Sequence, residues 1–477
     1  MTTLPQTTLP MTPAVEMDAA LIAKFNQSGP RYTSYPTADR FVSSFGYGNY
    51  LEAVAALRAR GGRAPLSLYI HVPFCESICY YCACNKVITK DHSKAVTYLT
   101  YLKQEIAMQG RLFAGMNRVE QLHFGGGTPT YLSDEQLSDL LAYLRQWFEF
   151  APDDVGEYSI EIDPRTVSPE RVHHLRSLGF NRVSMGVQDF DPEVQAAVNR
   201  IQPEHQTLGV IAAAREAEFR SISIDLIYGL PRQNLTTMAQ TLEKVVAADP
   251  DRISIYNYAH MPHLFKPQRR IVEAEMPSSA LKLEMLALCI ERLTAAGYVY
   301  IGMDHFAKPT DELAVAQRHG RLHRNFQGYS TRSDSDLISC GVSAISGVGA
   351  TYSQNEKTLD AYYEALDEGK LPVARGLKLD TDDVLRRIII QMLMCNFELS
   401  TRAIEQAWPI NFASYFAQEL EALKAFEADA LVTIEPDWIS VTPKGRLLVR
   451  NICMVFDRYL REKPVEGPQP LRYSKTI

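Results

Sequence analysis

From residue 66 to about 350, short runs rich in β-branched and aromatic residues alternate with longer stretches of helical periodicity. That alternation restricts the chain to βα units around a parallel sheet. It predicts strands at 66–72, 119–124, 157–163, 181–188, 221–227, 252–258 and 298–304, with helices that include 91–113, 134–149, 203–217, 235–248 and 277–296. Right-handed crossovers leave two architectures, a barrel or a doubly wound sheet. Side-chain alternation helps to choose. Ser159, Glu161 and Asp163 fall opposite Tyr158, Ile160 and Ile162; Ser184, Gly186 and Gln188 oppose Val183, Met185 and Val187; Ser223 and Asp225 oppose Ile222, Ile224 and Leu226. Each polar face needs partners, since an unpaired buried polar group costs about 1–3 kcal/mol. Pairing within the face is a reasonable account of any one strand and a poor one of all three. A partial barrel resolves this, with a ligand in its polar lumen and the site at the C-terminal ends of its strands. The expected fold class is therefore α/β, a partial (β/α) barrel.

The first strand runs into the string YIHVPFCESICYYCAC, residues 69–84, which carries four of the chain's 8 cysteines. Thiolates are soft ligands, and three of them, at Cys75, Cys79 and Cys82, can converge on one face of a cubane iron–sulfur cluster. The fourth iron is then open to a small molecule, to which a low-potential cluster can pass an electron, as reductive cleavage of a sulfonium requires. Three plainer readings compete. A structural zinc site usually takes two separated ligand pairs, whereas Cys82 and Cys84 are one residue apart, so closure around a tetrahedron would be strained. A disulfide knot needs an oxidising compartment, which nothing in the chain suggests. Burial among apolar neighbours suits Cys289, Cys340, Cys395 and Cys453 but not a cluster of four.

The spacing CxxxCxxC after a strand-like run resembles the radical S-adenosylmethionine (SAM) enzymes, and the wider string resembles the oxygen-independent coproporphyrinogen III oxidases. The resemblance runs from about residue 18 to the C-terminus. It implies one [4Fe-4S] cluster on Cys75, Cys79 and Cys82, two SAM molecules, and Cys84 as a residue needed for turnover that is not a cluster ligand. The contacts to the SAM on the cluster fall on Tyr69, on Gly126 in GGGTPT and on Glu161 in SIEIDP. Those to the second SAM fall on Tyr81, Gly127, Thr128, Gln188, Arg200, Asp225, Ala259 and Ile345. Each has a chemical reason: carboxylates accept from ribose hydroxyls or an ammonium group, Arg200 can pair with a carboxylate, and Ala259 and Ile345 can flank adenine. Separately, each could equally be a salt bridge or a core contact. The implied substrate is coproporphyrinogen III and the implied reductant one such as flavodoxin.

Composition and pattern divide the chain into a Thr- and Pro-rich disordered tail at 1–17, an N-terminal arm at 18–60, a partial barrel of the radical SAM type at 61–374, a small C-terminal cap at 375–461 and a tail from 462. The arm's string SGPRYTSYPT packs its tyrosines on the next domain or, by the resemblance, brings Arg31 to a substrate carboxylate. GMDHFA (302–307) and HRNFQGY (323–329) read as loops at the site mouth, with Arg324 a candidate cation for a tetrapyrrole carboxylate. The last segment has a winged-helix-like, mostly helical pattern: Thr381 caps a helix, 411–428 forms a second, LVTIEPDWISV makes a two-stranded wing, and Thr442-Pro443 starts a final helix. No basic recognition helix accompanies it, and the net charge is −7, so no nucleic-acid partner is expected. No apolar run is long enough to span a bilayer, and the first residues form no signal peptide, so a cytoplasmic monomer is the expectation. Two rival functions share these motifs, a haem-binding chaperone and a radical SAM methyltransferase. Cys84, the arm and HRNFQGY favour the oxidase over the chaperone.

Overall fold

The computed structural model describes residues 15–62, 64–332, 335–461, 473 and 475. Twelve strands form one sheet: β1 (Leu66–Val72), β2 (Val119–Gly126), β3 (Glu157–Ile162), β4 (Arg182–Gln188), β5 (Ser221–Tyr228), β6 (Arg252–Asn257), β7 (Val299–Gly302), β8 (His305–Ala307), β9 (Asp336–Cys340), β10 (Ile345–Val348), β11 (Thr351–Asn355) and β12 (Val373–Lys378). Their order is β12-β11-β10-β9-β1-β2-β3-β4-β5-β6-β8-β7. β9 and β1 to β6 run parallel, and both margins are antiparallel. The margins do not pair with each other, so the (β/α) barrel stays open.

All seven predicted strands match to within two residues. The segment expected at 298–304 stops at Gly302, and Met303 and Asp304 turn the chain back into β8. The five named helices also fall within two residues of their predicted ends, because their caps are written locally. Ser133 accepts from Gln136 N while the Gln136 side chain accepts from Ser133 N, and Asn234 accepts from Thr236 N and Thr237 N. Each helix connects one strand to the next and covers the outer face of the sheet. Ile160, Ile162, Val183, Met185, Ile222 and Ile224 are buried there, each worth about 1.5–3 kcal/mol relative to exposure. The opposite face carries the polar set: Ser159, Glu161, Ser184, Ser223 and Asp225 line a central lumen.

The two polar aromatic motifs are hairpins rather than loops, and they meet, the His305 and Tyr329 rings packing edge to face at 5.1 Å. The turn of GMDHFA, at Met303 and Asp304, sits at the mouth, where Ile255 N donates to Asp304 O (2.7 Å). HRNFQGY forms the ladder His323–Asn325 against Gly328–Ser330. Gln121 Nε2 donates to Ser330 Oγ (3.2 Å) and Thr331 Oγ1 to Glu157, so the far end of this hairpin closes the lumen at the strand starts. The physical reason is the neighbouring polar pattern: Gln121 and Glu157 present buried groups that only a polar plug satisfies.

The C-terminal segment packs helices Thr381–Asn396 and Ala417–Ala428 with a small sheet. Four local expectations change. Asp380, not Thr381, caps the first helix, accepting from Asp383 N (2.8 Å). The second is broken at Phe416 into Phe412–Tyr415 and Ala417–Ala428. The wing strands Val432–Ile434 and Trp438–Val441 gain a third, Glu398–Ser400. Thr442 and Pro443 form a turn, and the helix proper begins only at Val449 after a 3-10 turn, Arg446–Leu448.

The arm crosses to this segment. Tyr32 and Tyr35 are buried; Tyr32 OH donates to Asp457 (3.0 Å) and Tyr35 OH accepts from Arg458 N (3.2 Å). Arg31 ion-pairs with Asp304. Of the expected N-terminal tail, residues 1–14 lie outside the described residues, while Glu16 N donates to Pro443 O (3.0 Å). The C-terminal tail lies outside them too, save Tyr473 and Lys475; Ser28 and Lys475 form an antiparallel bridge. Among the described residues no helix is long and apolar enough to cross a membrane.

Candidate active site

The cysteine loop leaves the C-terminal end of β1 and is closed at its base by a two-residue ladder, Phe74–Cys75 against Val87–Ile88. Its far side rests on the segment after β4, where Tyr80 N donates to Val198 O (3.0 Å) and Asn199 Nδ2 to Ile78 O (2.7 Å). The end of β2 supplies the third wall, and Gly127 makes this possible. A Cβ there would lie 2.7 Å from the Pro73 and Phe74 carbonyl oxygens. With glycine, Gly127 N donates to Val72 O and Thr128 N to Phe74 O, both at 2.8 Å. Gly126, at φ +116°, is hemmed in the same way by the His71 ring.

These elements enclose a cavity of about 940 Å³. Cys75, Cys79, Cys82, Cys84, Tyr81, Gly126, Gly127, Thr128, Glu161, Gln188, Arg200 and Asp225 all line it. Tyr69 stands behind this wall, its ring stacked on His123 at 5.8 Å and its OH 3.1 Å from His71 Nδ1. Ala259 and Ile345 do not line it. Ala259 borders a separate cavity beside the arm, and Ile345 packs in an apolar cluster with Phe41 and Tyr352.

Cation donors surround the sulfurs. Arg200 Nη1 and Arg165 Nη2 lie 3.5 and 3.7 Å from Cys79 Sγ, and both guanidinium groups also bond Asp163. The Cys84 thiol donates to Cys82 and Lys86 lies beside it, holding Cys82 below the usual thiol range. Burial pushes the Cys75 thiol up to about 11 against the weaker pull of the Thr128 hydroxyl. Among the described residues no three His, Cys, Asp or Glu side chains meet at a point where they could hold one metal ion. A cubane asks for something different, one thiolate on each of three irons, and three separated sulfurs on one cavity wall suit it. Arg200 Nε, buried without a partner, gives the same wall an unused donor for an anionic group.

The floor is acidic. Burial raises the Glu161 carboxyl, but bonds from His123 Nε2 (3.1 Å) and Gly126 N (3.3 Å) outweigh it and hold the group below its ordinary range. Asp225 behaves oppositely, pushed up to about 6 by burial and the nearby Glu161 charge, with Ser184 Oγ donating at 3.3 Å. Gln188 occupies a left-handed conformation, φ +68°, where the β4–β5 register shifts, so the strand end re-aims its side chain. The lumen groups thus pair partly with one another. The sequence reading missed His123, Arg165 and Lys86 as site residues, and put Asp163 on the polar face without giving it a role. His123 was legible: with Gln121 it continues on β2 the same period-two polar face read on β3 to β5.

A loop of three cluster-spaced cysteines on the first strand of an open, polar-lumened barrel defines the class, and residues 69–245 match the Radical SAM superfamily. Residues 379–448 match the HemN C-terminal domain. The oxygen-independent coproporphyrinogen III oxidase of Escherichia coli (strain K12) is 52% identical over 449 residues, covering 94% of this chain and 97% of that protein. The Synechocystis protein of the same name is 46% identical over 455 residues, covering 94% and 97%. The solved structure of the Escherichia coli radical SAM enzyme coproporphyrinogen III oxidase (HemN) superimposes with a TM-score of 0.89 at 51% identity, over 93% of this chain and 99% of that one. The chain belongs to the oxygen-independent coproporphyrinogen III oxidase family.

Proposed function

We propose that the chain converts two propionate side chains of coproporphyrinogen III to vinyl groups, giving protoporphyrinogen IX, without oxygen and as a step of haem synthesis. The observation that carries the reading is the cysteine loop over a polar lumen in a chain half identical to named oxidases along nearly its whole length. When bound, a [4Fe-4S] cluster and SAM supply a 5′-deoxyadenosyl radical that takes a hydrogen from the propionate β-carbon, after which loss of CO₂ and one electron leaves the vinyl group.

The residues divide the remaining work. Cys75, Cys79 and Cys82 hold the cluster, with Arg165 and Arg200 offsetting charge on Cys79. Tyr69, Gly126 and the ionised Glu161 hold SAM at the cluster. A second SAM is assigned to Tyr81, Gly127, Thr128, Gln188, Arg200 and Asp225, a reading supported by their lining the same cavity. Ala259 and Ile345 stand outside the cavity wall, and their assignment to that site rests on the family likeness alone. Cys84 is exposed on the rim and serves turnover rather than ligation. Residues 61–374 act as the catalytic unit under the 375–461 cap, in a cytoplasmic monomer reduced by a flavodoxin-like donor.

The test is an anaerobic assay of the reconstituted chain with coproporphyrinogen III, SAM and a strong reductant. Vinyl product and 5′-deoxyadenosine are expected together. 5′-Deoxyadenosine without vinyl product removes the substrate assignment.

A further inference from the structure

A second cavity, of about 390 Å³, opens at the same end of the sheet, at the ends of β5 and β6. Only one wall separates it from the cysteine cavity. Buried Gln268 ties the two, its Nε2 donating to Tyr81 O (3.1 Å) and Ala259 O (3.3 Å). Four cations from distant parts of the chain line this second cavity: Arg31 of the arm, Lys282 of helix Ser279–Ala295, Arg450 of helix Val449–Val455 and Lys475 near the C-terminus.

The cavity is short of negative charge. Asp304 is the one carboxylate among its described lining residues, and Arg31 takes it. Lys282 makes no ion pair among the described residues; its Nζ donates to Tyr258 O (3.1 Å) and lies 5.9 Å from the Tyr258 ring centroid. Arg450 donates to the carbonyls of Gly29, Pro30 (2.9 Å) and Lys475 (3.0 Å), which anchors the arm as the cavity roof. Arg324, 3% exposed, lies 4.8 Å from the Tyr329 ring centroid, with Nε and Nη1 buried and unpartnered. It is near enough for its charge to depress both Arg31 and Arg450, whose guanidinium groups burial already disfavours. On a chain of net charge −7 this excess is strictly local. Cations crowded round one carboxylate, with Arg450 buried and Arg31 and Lys282 half-buried, are costly, and an anion entering the cavity relieves that cost.

We propose that this cavity binds a non-reacting propionate of the tetrapyrrole, with Lys282 as the principal carboxylate ligand and Arg31 and Arg450 completing the cationic wall. The inference rests on the decarboxylase reading and adds to it a residue set for orientation. A carboxylate gripped here holds the macrocycle by its edge, one wall from the cysteine cavity, so that another propionate can face the reacting centre. Lys282 is thus a positioning and specificity residue that touches a part of the substrate where no bond breaks.

The experiment measures the Kd of coproporphyrinogen III and of its tetramethyl ester on the reconstituted, unreduced full chain, for wild type, Lys282→Gln, Lys282→Arg and Arg31→Gln. Wild type is expected to bind the acid about tenfold or more tightly than the ester, as a charge-assisted bond implies. Lys282→Gln should weaken the acid about tenfold and leave the ester unchanged. Lys282→Arg should restore most of the loss, and Arg31→Gln should follow Lys282→Gln. Unchanged acid binding in Lys282→Gln, or an equal loss for acid and ester, overturns the proposal. A wild type that makes vinyl product while Lys282→Gln binds normally sinks this cavity's role alone. A wild type that neither binds the acid nor makes vinyl product removes the functional reading and this inference with it.

Discussion

The two cavities at the mouth of the sheet are built in opposite ways. The cysteine cavity takes its ligands from one contiguous loop, residues 75–84, and its other walls from the ends of successive strands. The basic cavity takes each of its cations from a different region, at residues 31, 282, 450 and 475. The first is a local construction that the barrel merely displays. The second exists only once the arm and the C-terminal helices have closed on the sheet. Chemistry needing several atoms in fixed mutual geometry is thus carried on a short stretch of backbone, while an electrostatic grip, which falls off slowly with distance, is left to distant segments.

Breaking the local construction should have the largest effect. Cys75→Ser should abolish cluster absorbance and all vinyl formation, whereas Cys84→Ser should keep the absorbance and lose turnover; cluster loss in both would merge the roles assigned to them. Gly127→Ala comes next. Its methyl group would strike the Pro73 and Phe74 carbonyls, so a loss of about 3 kcal/mol in thermal stability and poor cluster retention are expected. A stable, fully loaded Gly127→Ala protein would show that the loop is not pinned by β2.

Asp225→Asn should act in the opposite direction on stability. The folded carboxyl holds its proton up to about pH 6, well above the ordinary value of 3.8. Its contribution to stability is therefore fully present below about pH 4 and lost as pH rises through about 6. Asp225→Asn should raise stability at pH 8 by roughly 1–2 kcal/mol, match wild type below pH 4, and impair turnover. Paired melting curves and assays at the two pH values decide it. The smallest effect is expected at the hinge of the long-range construction. Tyr32→Phe removes one bond to Asp457, for about 1 kcal/mol in a thermal melt. It should loosen the arm without disturbing the cluster, and a change in cluster absorbance would show that the two cavities are less separate than their construction suggests.

The sequence by itself determined the strands, their polar faces and the cysteine loop, because period-two alternation, helix caps and ligand spacing are all local signals. Alternation alone puts Ser159, Glu161, Ser184 and Asp225 on the lumen face. Tertiary structure alone decided the rest. That the hairpin His323–Asn325/Gly328–Ser330 plugs the strand starts follows from its pairing with Gln121 and Thr331's bond to Glu157, partners about two hundred residues away. Ala259 falling into a second cavity, and Arg31, Lys282 and Arg450 meeting there, depend on how the arm and the C-terminal helices dock. Such convergence leaves no trace in any short window of sequence. It is set by which buried surfaces and charges satisfy one another after the chain has closed.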